Sequence, residues 1–195
     1  MNRHPFPALL LLACLPARAA TIEALSVVHD GPRYRVEMEV KLQAPPAAAY
    51  AAFAAPGSLP RINPAVQTVQ VLQRSGDEQA RIYTEVHVCA MLYCKLLHQT
   101  QDMHYAARPD GGDLEADVVP EASDFSYGRA QWQFRPAGAV TELHFHAELQ
   151  PAFWIPPVIG PWLVERSLRE EAERTSAGIE RLAQPQQPDA APAGH

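Results

Sequence analysis

One long amphipathic helix near the C-terminal end constrains the fold more than any other feature of the chain. From Pro161 to Ala183 only Gly178 disfavours a helix, and Pro161 suits a first helical position, where its missing N–H is not needed. Mostly apolar side chains recur at three and four residues in one stripe: Val164, Leu168, Ala172, Thr175, Ile179 and Leu182. A helix of about 22 residues is ~33 Å long. It therefore needs a large apolar surface to cover this stripe.

The segments before this helix have the alternating pattern of β-strands. Apolar and charged residues alternate from Arg33 to Leu42, which predicts a strand with one buried face. A short helix is predicted over 47–55, and a proline-rich stretch follows over 59–64. Further strands are predicted over 66–74, 79–89, 94–105, 114–119, 125–135 and 140–150. We therefore expect an α+β fold in which a curved antiparallel sheet of about seven strands wraps the C-terminal helix, with two short helices after the first strand.

The N-terminus has the pattern of an export signal. Arg3 and His4 precede an apolar run over 6–15, and Ala17 and Ala19 give the small-residue cleavage pattern. We expect residues 1–19 to be a signal peptide and the mature protein to be periplasmic or secreted. Cys14 offers an alternative, because residues 11–14 resemble a bacterial lipobox. A lipid on that cysteine would anchor the exported protein to a membrane.

Composition indicates one globular domain without affinity for nucleic acid. Hydrophobic residues make up 47% of the chain and charged residues 19%. We expect this domain to span 24–184, and the Pro/Ala/Gln-rich residues 185–195 to be a disordered tail. The formal net charge is −6 and Lys/Arg runs are absent from the sequence, which argues against nucleic-acid partners. We expect a monomer.

Cys89 and Cys94 form a pair whose interpretation depends on export. In an exported protein such a pair favours a disulfide over a redox or metal motif, and two free thiols are the alternative. On one straight strand the two residues would lie ~17 Å apart, so a bridge requires the chain to turn between them. A four-residue hairpin loop over 90–93 would provide that turn. The resulting register pairs residues of complementary charge: Arg81 with Asp102, and Glu85 with His98.

Four segments together resemble a known superfamily. They are Ala44-Pro45-Pro46 before the short helix, residues 59–66, residues 126–132 and the final helix. With the order of elements, they resemble the START-like superfamily, the helix-grip fold of polyketide cyclases and lipid-transfer proteins, over roughly 26–183. The coenzyme Q-binding branch is the nearest one, although the export signal and the cysteine pair depart from it. The resemblance implies a deep cavity between the sheet and the last helix that holds a hydrophobic ligand.

The inner faces of the two predicted hairpins supply candidate ligand-binding residues. The apolar candidates are Val86, Met103, Trp132, Phe134 and Phe145, and the polar candidates are Thr84, Gln99 and Gln101. Buried amide and hydroxyl groups need hydrogen-bond partners, which a ligand or water in the cavity would supply. This set contains no titratable side chain, so we predict no catalytic residue and no cofactor.

The largest apolar cluster has two interpretations. It consists of Phe153, Trp154 and Ile155, the following residues 156–159, and Trp162. The cluster is either a hinge packed on the edge of the sheet, or a portal for an apolar ligand that makes transient contact with a membrane surface.

A histidine pair is the strongest metal candidate in the sequence, and we expect it to be exposed instead. His144 and His146 share one strand face and could chelate a metal with Glu142 or Glu148. That face is the polar one, and the expected register sets Arg129 opposite His146, where it would repel a cation. We predict no metal site.

These observations favour an exported, non-catalytic binding protein for a lipid, isoprenoid or other hydrophobic small molecule. A cyclase- or aromatase-like enzyme on a polyketide-like substrate is one alternative, and it requires a titratable group inside the cavity. An envelope interaction module with a filled core and no ligand is the other.

Overall fold

The computed structural model describes residues 20–90, 93–155 and 160–184. Its strands are β1 (Thr21–Asp30), β2 (Arg33–Leu42), β3 (Val66–Ser75), β4 (Gln79–Ala90), β5 (Tyr93–Arg108), β6 (Gly111–Val118), β7 (Phe125–Ala137) and β8 (Val140–Pro151). Its α-helices are α1 (Pro46–Ala54), α2 (Leu59–Ile62) and α3 (Gly160–Ala183). The expected signal peptide, Cys14 and the expected tail lie outside the described residues.

Within the described residues, the eight strands form one antiparallel sheet in the order β1-β2-β8-β7-β6-β5-β4-β3. The predicted helix-grip architecture is confirmed, with one strand more than expected. That strand is β1, an edge strand whose apolar residues do not alternate: Val27 is partly buried, whereas Val28 is 48% exposed. A register irregularity between Ile22 and Ala24 also interrupts the alternation of β1.

The β4–β5 hairpin has the predicted register. Cys89 and Cys94 form a disulfide, and Arg81 Nε donates to Asp102 Oδ1 over 2.7 Å. The Arg81 guanidinium beside Asp102 holds the pKa of that carboxyl below its usual range. The predicted four-residue loop is wrong, because the strands stay paired as far as Ala90 and Tyr93. Only residues 91 and 92 separate these paired ends, and they lie outside the described residues.

The second hairpin is also tighter than expected. Its strands stay paired up to Ala137 and Val140, with Gly138 at a φ of 72° in the turn. A left-handed φ of this kind suits a two-residue hairpin turn. The predicted loop over 136–139 is therefore too long, and the register moves by two residues. As a result Arg129 pairs with Glu148 rather than His146.

Helix α3 covers the inner face of the sheet together with the short helices. Its stripe faces inward as predicted, with Ala172 and Ile179 buried, and its outer side carries the ion pairs Glu165–Arg169 and Glu170–Arg174. Gly178 lies directly against the backbone of Ile62 in α2. None of the described helices is long and apolar enough to cross a membrane.

Candidate functional site: a cavity between the sheet and helix α3

A cavity of about 280 Å³ lies between the inner face of the sheet and α3. Strands β2, β4, β5, β7 and β8 contribute inward-facing side chains to its wall, and Phe53, Leu59 and Ile62 of the short helices close one side. On the helix side the wall comes from Leu168, Glu171, Ala172 and Thr175. The small Ala172 leaves room here, whereas Ile179, two turns further along α3, is fully buried in the core.

Seven of the eight predicted cavity residues lie on this wall. They are Thr84, Val86, Gln99, Gln101, Met103, Trp132 and Phe145. The exception is Phe134, which is 1% exposed and belongs to the packed core. Its ring packs against Tyr50 and Phe53 of α1 at centroid distances of 6.0 Å and 5.8 Å. Phe134 was therefore assigned to the correct face of β7, but α1 covers the end of the strand that carries it.

The sheet side of the cavity carries two amide side chains with free hydrogen-bonding capacity. Thr84 Oγ1 donates to the Gln99 carbonyl over 3.4 Å, but no described residue hydrogen-bonds the side-chain amides of Gln99 or Gln101. Both residues are partly buried and lie on neighbouring wall positions of β5. Each amide offers a carbonyl acceptor and an NH₂ donor. A ligand hydroxyl or carbonyl could bind both.

The helix side carries a polar group that the sequence analysis missed. Asn63 is 6% exposed, and its amide donates to Glu171 Oε2 and, over 3.1 Å, to Thr175 Oγ1. Glu171 Oε1 accepts from Arg174 over 2.6 Å. Glu171 lies three residues after Leu168 and four before Thr175, which places it on the apolar stripe of α3. This spacing alone was enough to predict that Glu171 faces the sheet.

Tyr105 is a second titratable residue on the wall. Burial raises the pKa of its hydroxyl above the usual value of 10.0, so the group stays protonated and can donate a hydrogen bond at neutral pH. It lies two residues after Met103 on the same face of β5. Extending the alternating pattern of inward-facing residues by one position would have predicted it as a wall residue. Glu171 and Tyr105 overturn the expectation of a wall without titratable groups.

The four predicted portal residues do not line the cavity. Trp154 is 75% exposed and Trp162 is 50% exposed, with the Arg166 guanidinium 5.7 Å from the Trp162 ring centroid. Phe153 packs on Phe125 with ring centroids 6.3 Å apart. Ile155 is partly buried against Gly160, at the start of α3. Residues 156–159 lie outside the described part, so a portal role for this cluster stays a prediction.

The predicted histidine pair lies on the outer face of the sheet. His144 Nδ1 is 3.8 Å from a Glu39 oxygen, and His146 Nδ1 is 3.9 Å from a Glu37 oxygen. Both histidines are partly exposed and neither lines the cavity. They therefore lie at the surface beside carboxylates of β2, and such exposed contacts contribute little to stability.

Comparisons with known proteins agree with this geometry. The family described as polyketide cyclase / dehydrase and lipid transport matches residues 33–183. No curated protein matches the sequence significantly. An aromatase/cyclase from Streptomyces sp. R1128 is 13% identical with a TM-score of 0.62, over 77% of this chain and 93% of that one. A STAR-related lipid transfer protein from Xanthomonas axonopodis is 16% identical with a TM-score of 0.60, over 82% and 99%.

A START superfamily protein from Mycobacterium smegmatis is also similar, with 16% identity, a TM-score of 0.58 and coverage of 76% of this chain and 98% of that one. Likenesses at these identities show the fold alone. The resemblance to the START-like superfamily is confirmed, whereas the coenzyme Q-binding branch stays a prediction.

Proposed function

Because the chain belongs to the polyketide cyclase / dehydrase and lipid transport family, we propose that it is an exported carrier that holds a hydrophobic small molecule between its sheet and α3. The cavity is the observation that carries this proposal. Its wall is mostly apolar, and its polar groups are few and grouped. Such a combination is typical of small-molecule sites, in which apolar surface gives affinity and a few polar groups give orientation.

The size of the cavity supports a ligand rather than a filled core. Its volume of about 280 Å³ is far above the ~30 Å³ that one water molecule occupies in the liquid. It lies close to the lower limit of ligand pockets, about 300 Å³. In the empty protein the apolar side chains of this wall lack packing partners on the cavity side. A bound molecule would restore those contacts, which argues against an interaction module without a ligand.

The arrangement of polar groups describes the ligand in outline. An apolar body would contact Trp132, Phe145 and Met103, and a hydroxyl or carbonyl would bind the amides of Gln99 and Gln101. A lipid, an isoprenoid or a polyketide-like molecule meets this description. The N-terminal signal pattern supports a periplasmic or secreted location, and Cys14 supports a lipid-anchored alternative.

The carrier proposal has a direct test. We expect native mass spectrometry of the protein, purified gently from the periplasm of the organism that makes it, to show an adduct. Its solvent extract should contain a matching apolar molecule. The stripped protein should also be two hydrogens lighter than the reduced chain, because Cys89 and Cys94 are bridged. A protein that is always empty, and that takes up no lipid or isoprenoid from detergent solution, would contradict the carrier proposal.

A cyclase-like enzyme is the second candidate, and Glu171 and Tyr105 on the wall are the observations that favour it. A general acid or base must reach a reacting atom of the substrate. Glu171 is already bound by Asn63 and Arg174, an arrangement that fixes the end of α2 to α3 without any chemistry. The carrier proposal therefore assigns Glu171 a structural contact on the wall.

Replacing Glu171 with glutamine separates the two candidates. For a carrier, we expect Glu171→Gln to bind the extracted molecule within about threefold of the original protein, because an amide still accepts a hydrogen bond from Asn63. For an enzyme, loss of a general acid or base would lower turnover by about 10²–10⁴. Glu173→Gln, on the exposed side of the same helix, is the matched control. An enzyme would convert the extracted molecule into a product. If Glu171→Gln abolishes this turnover and Glu173→Gln preserves it, the carrier proposal is rejected.

A further inference from the structure

Glu180 is a buried carboxylate at the C-terminal end of α3. Glu180 is only 7% exposed. Its carboxylate joins the start of the sheet to the helix. Oε2 accepts a hydrogen bond from the backbone nitrogen of Ala20 over 3.0 Å. Oε1 accepts one from the backbone nitrogen of Gln43, just after β2. Three separate segments of the chain therefore meet at one carboxylate.

Among the described residues, no cation forms an ion pair with Glu180. The neighbouring Arg181 instead donates to the carbonyl of Arg61. A buried carboxylate is normally compensated by a positive charge as well as by hydrogen bonds. The last turn of a helix adds to this need, because its free carbonyls carry a partial negative charge. A cation at the position of the Ala20 nitrogen would supply this compensation.

Ala20 is the residue that follows the expected cleavage site. We propose that Glu180 is the binding site for the free α-ammonium group of the mature chain, which begins at Ala20. An export-linked endopeptidase adds one water across the Ala19–Ala20 peptide bond. Ala19 leaves with the new carboxylate, and the new primary amine of Ala20 takes up a proton. The neutral N–H donor at Glu180 thereby becomes a cationic one.

Processing would therefore complete an ion pair that is absent among the described residues. The bond from the Ala20 N–H to the Glu180 carboxylate is already charge-assisted, and a cationic donor would add the attraction between two opposite charges. The pair would fix β1, an edge strand, to the end of α3 and to the end of β2. This inference rests on the proposed export, but it is independent of what the cavity binds.

The small number of primary amines makes the proposal easy to test. Lys41 and Lys95 are the two lysines of the sequence. The processed protein, purified from the periplasm, is treated with an N-hydroxysuccinimide acetate ester at pH 7, and acetylation of each amine is followed by peptide mass spectrometry. An unprotected α-amine has a pKa near 8 and a lysine a pKa near 10.4, so the α-amine should normally react first. In the folded protein we expect the two lysines to react before the Ala20 amine.

The variants assign this protection to Glu180. We expect Glu180→Gln to raise the acetylation rate of the Ala20 amine several-fold relative to both lysines. Glu173→Gln, on the exposed side of α3, should not change it. Unfolding the original protein in urea should also remove the protection. If Glu180→Gln fails to fold, the order of reaction in the folded original protein still tests the inference.

Three results would overturn the inference. They are a mature chain that begins at a residue other than Ala20 (a lipid-modified Cys14 included), an Ala20 amine that reacts first in the folded protein, and equal rates in the original protein and in folded Glu180→Gln. None of them changes whether the cavity carries a ligand, so failure here is distinct from failure of the carrier proposal.

Discussion

Replacing Trp132 with alanine is expected to weaken binding of the cavity ligand about thirtyfold while the protein stays folded. The Trp132 indole lines the cavity from β7, where it packs against Phe145 and Phe53 at centroid distances of 5.2 Å and 5.5 Å. Losing the contact between this ring and an apolar ligand should remove about 2 kcal/mol of binding free energy, which is roughly a thirtyfold change in affinity.

A second tryptophan provides the matched control. Trp154 is 75% exposed and does not line the cavity, so Trp154→Ala should leave the dissociation constant for a detergent-delivered ligand unchanged. The extracted molecule is titrated into each stripped protein, and circular dichroism confirms that each variant is folded. Equal affinities of Trp132→Ala and the original protein would remove Trp132 from the site. If Trp154→Ala slows uptake from lipid vesicles alone, the portal prediction gains its first support.

The faces of the strands were predictable from the sequence, and the hairpin registers were predictable only in part. Alternation assigned Thr84, Gln99 and Gln101 to the inner face, and the cysteine pair fixed the register of their hairpin. The second hairpin has no such constraint, and its register was wrong by two residues. A two-residue shift leaves every side chain on its original face. Trp132 and Phe145 were therefore placed on the wall correctly.

The position of each residue along a face was not predictable. Trp132 and Phe134 share one face of β7, but α1 covers only the end of the strand that carries Phe134. Periodicity gives the direction of a side chain, not the place where a helix from another part of the chain crosses it. Val71 shows the same limit at the other edge of the sheet, because it pairs with the buried Ile82 and is nevertheless 46% exposed.

Charged and polar wall residues were missed for a related reason. Glu171 and Asn63 each have an unfavourable burial cost when considered alone, and each becomes acceptable because it binds the other. The two residues are 108 positions apart in the chain. A sequence pattern that scores residues one at a time assigns both to the surface. The same argument applies to Glu180, which meets Ala20 across 160 positions.

Replacing Gly178 with alanine is expected to destabilise the protein by about 2 kcal/mol, although alanine normally stabilises a helix relative to glycine by about 1 kcal/mol. A Cβ atom at this position would overlap the Ile62 carbonyl oxygen and lie 2.6 Å from the Ile62 carbonyl carbon. Backbone atoms cannot rotate away as a flexible side chain can, so α3 must move away from α2. That movement would also break the contact between Asn63 and Glu171 on the wall of the cavity.

Gly57 provides a control of the same chemistry at an open position. A Cβ atom there would have no neighbour within 4 Å, so Gly57→Ala should be neutral or stabilise the protein by up to ~1 kcal/mol through the unfolded state. Urea unfolding of the stripped proteins gives the free energy of unfolding of each variant. If Gly178→Ala is as stable as the original protein, α3 can separate from α2 at no cost. The cavity would then be an adjustable space rather than one whose width is set by direct contact between the two helices.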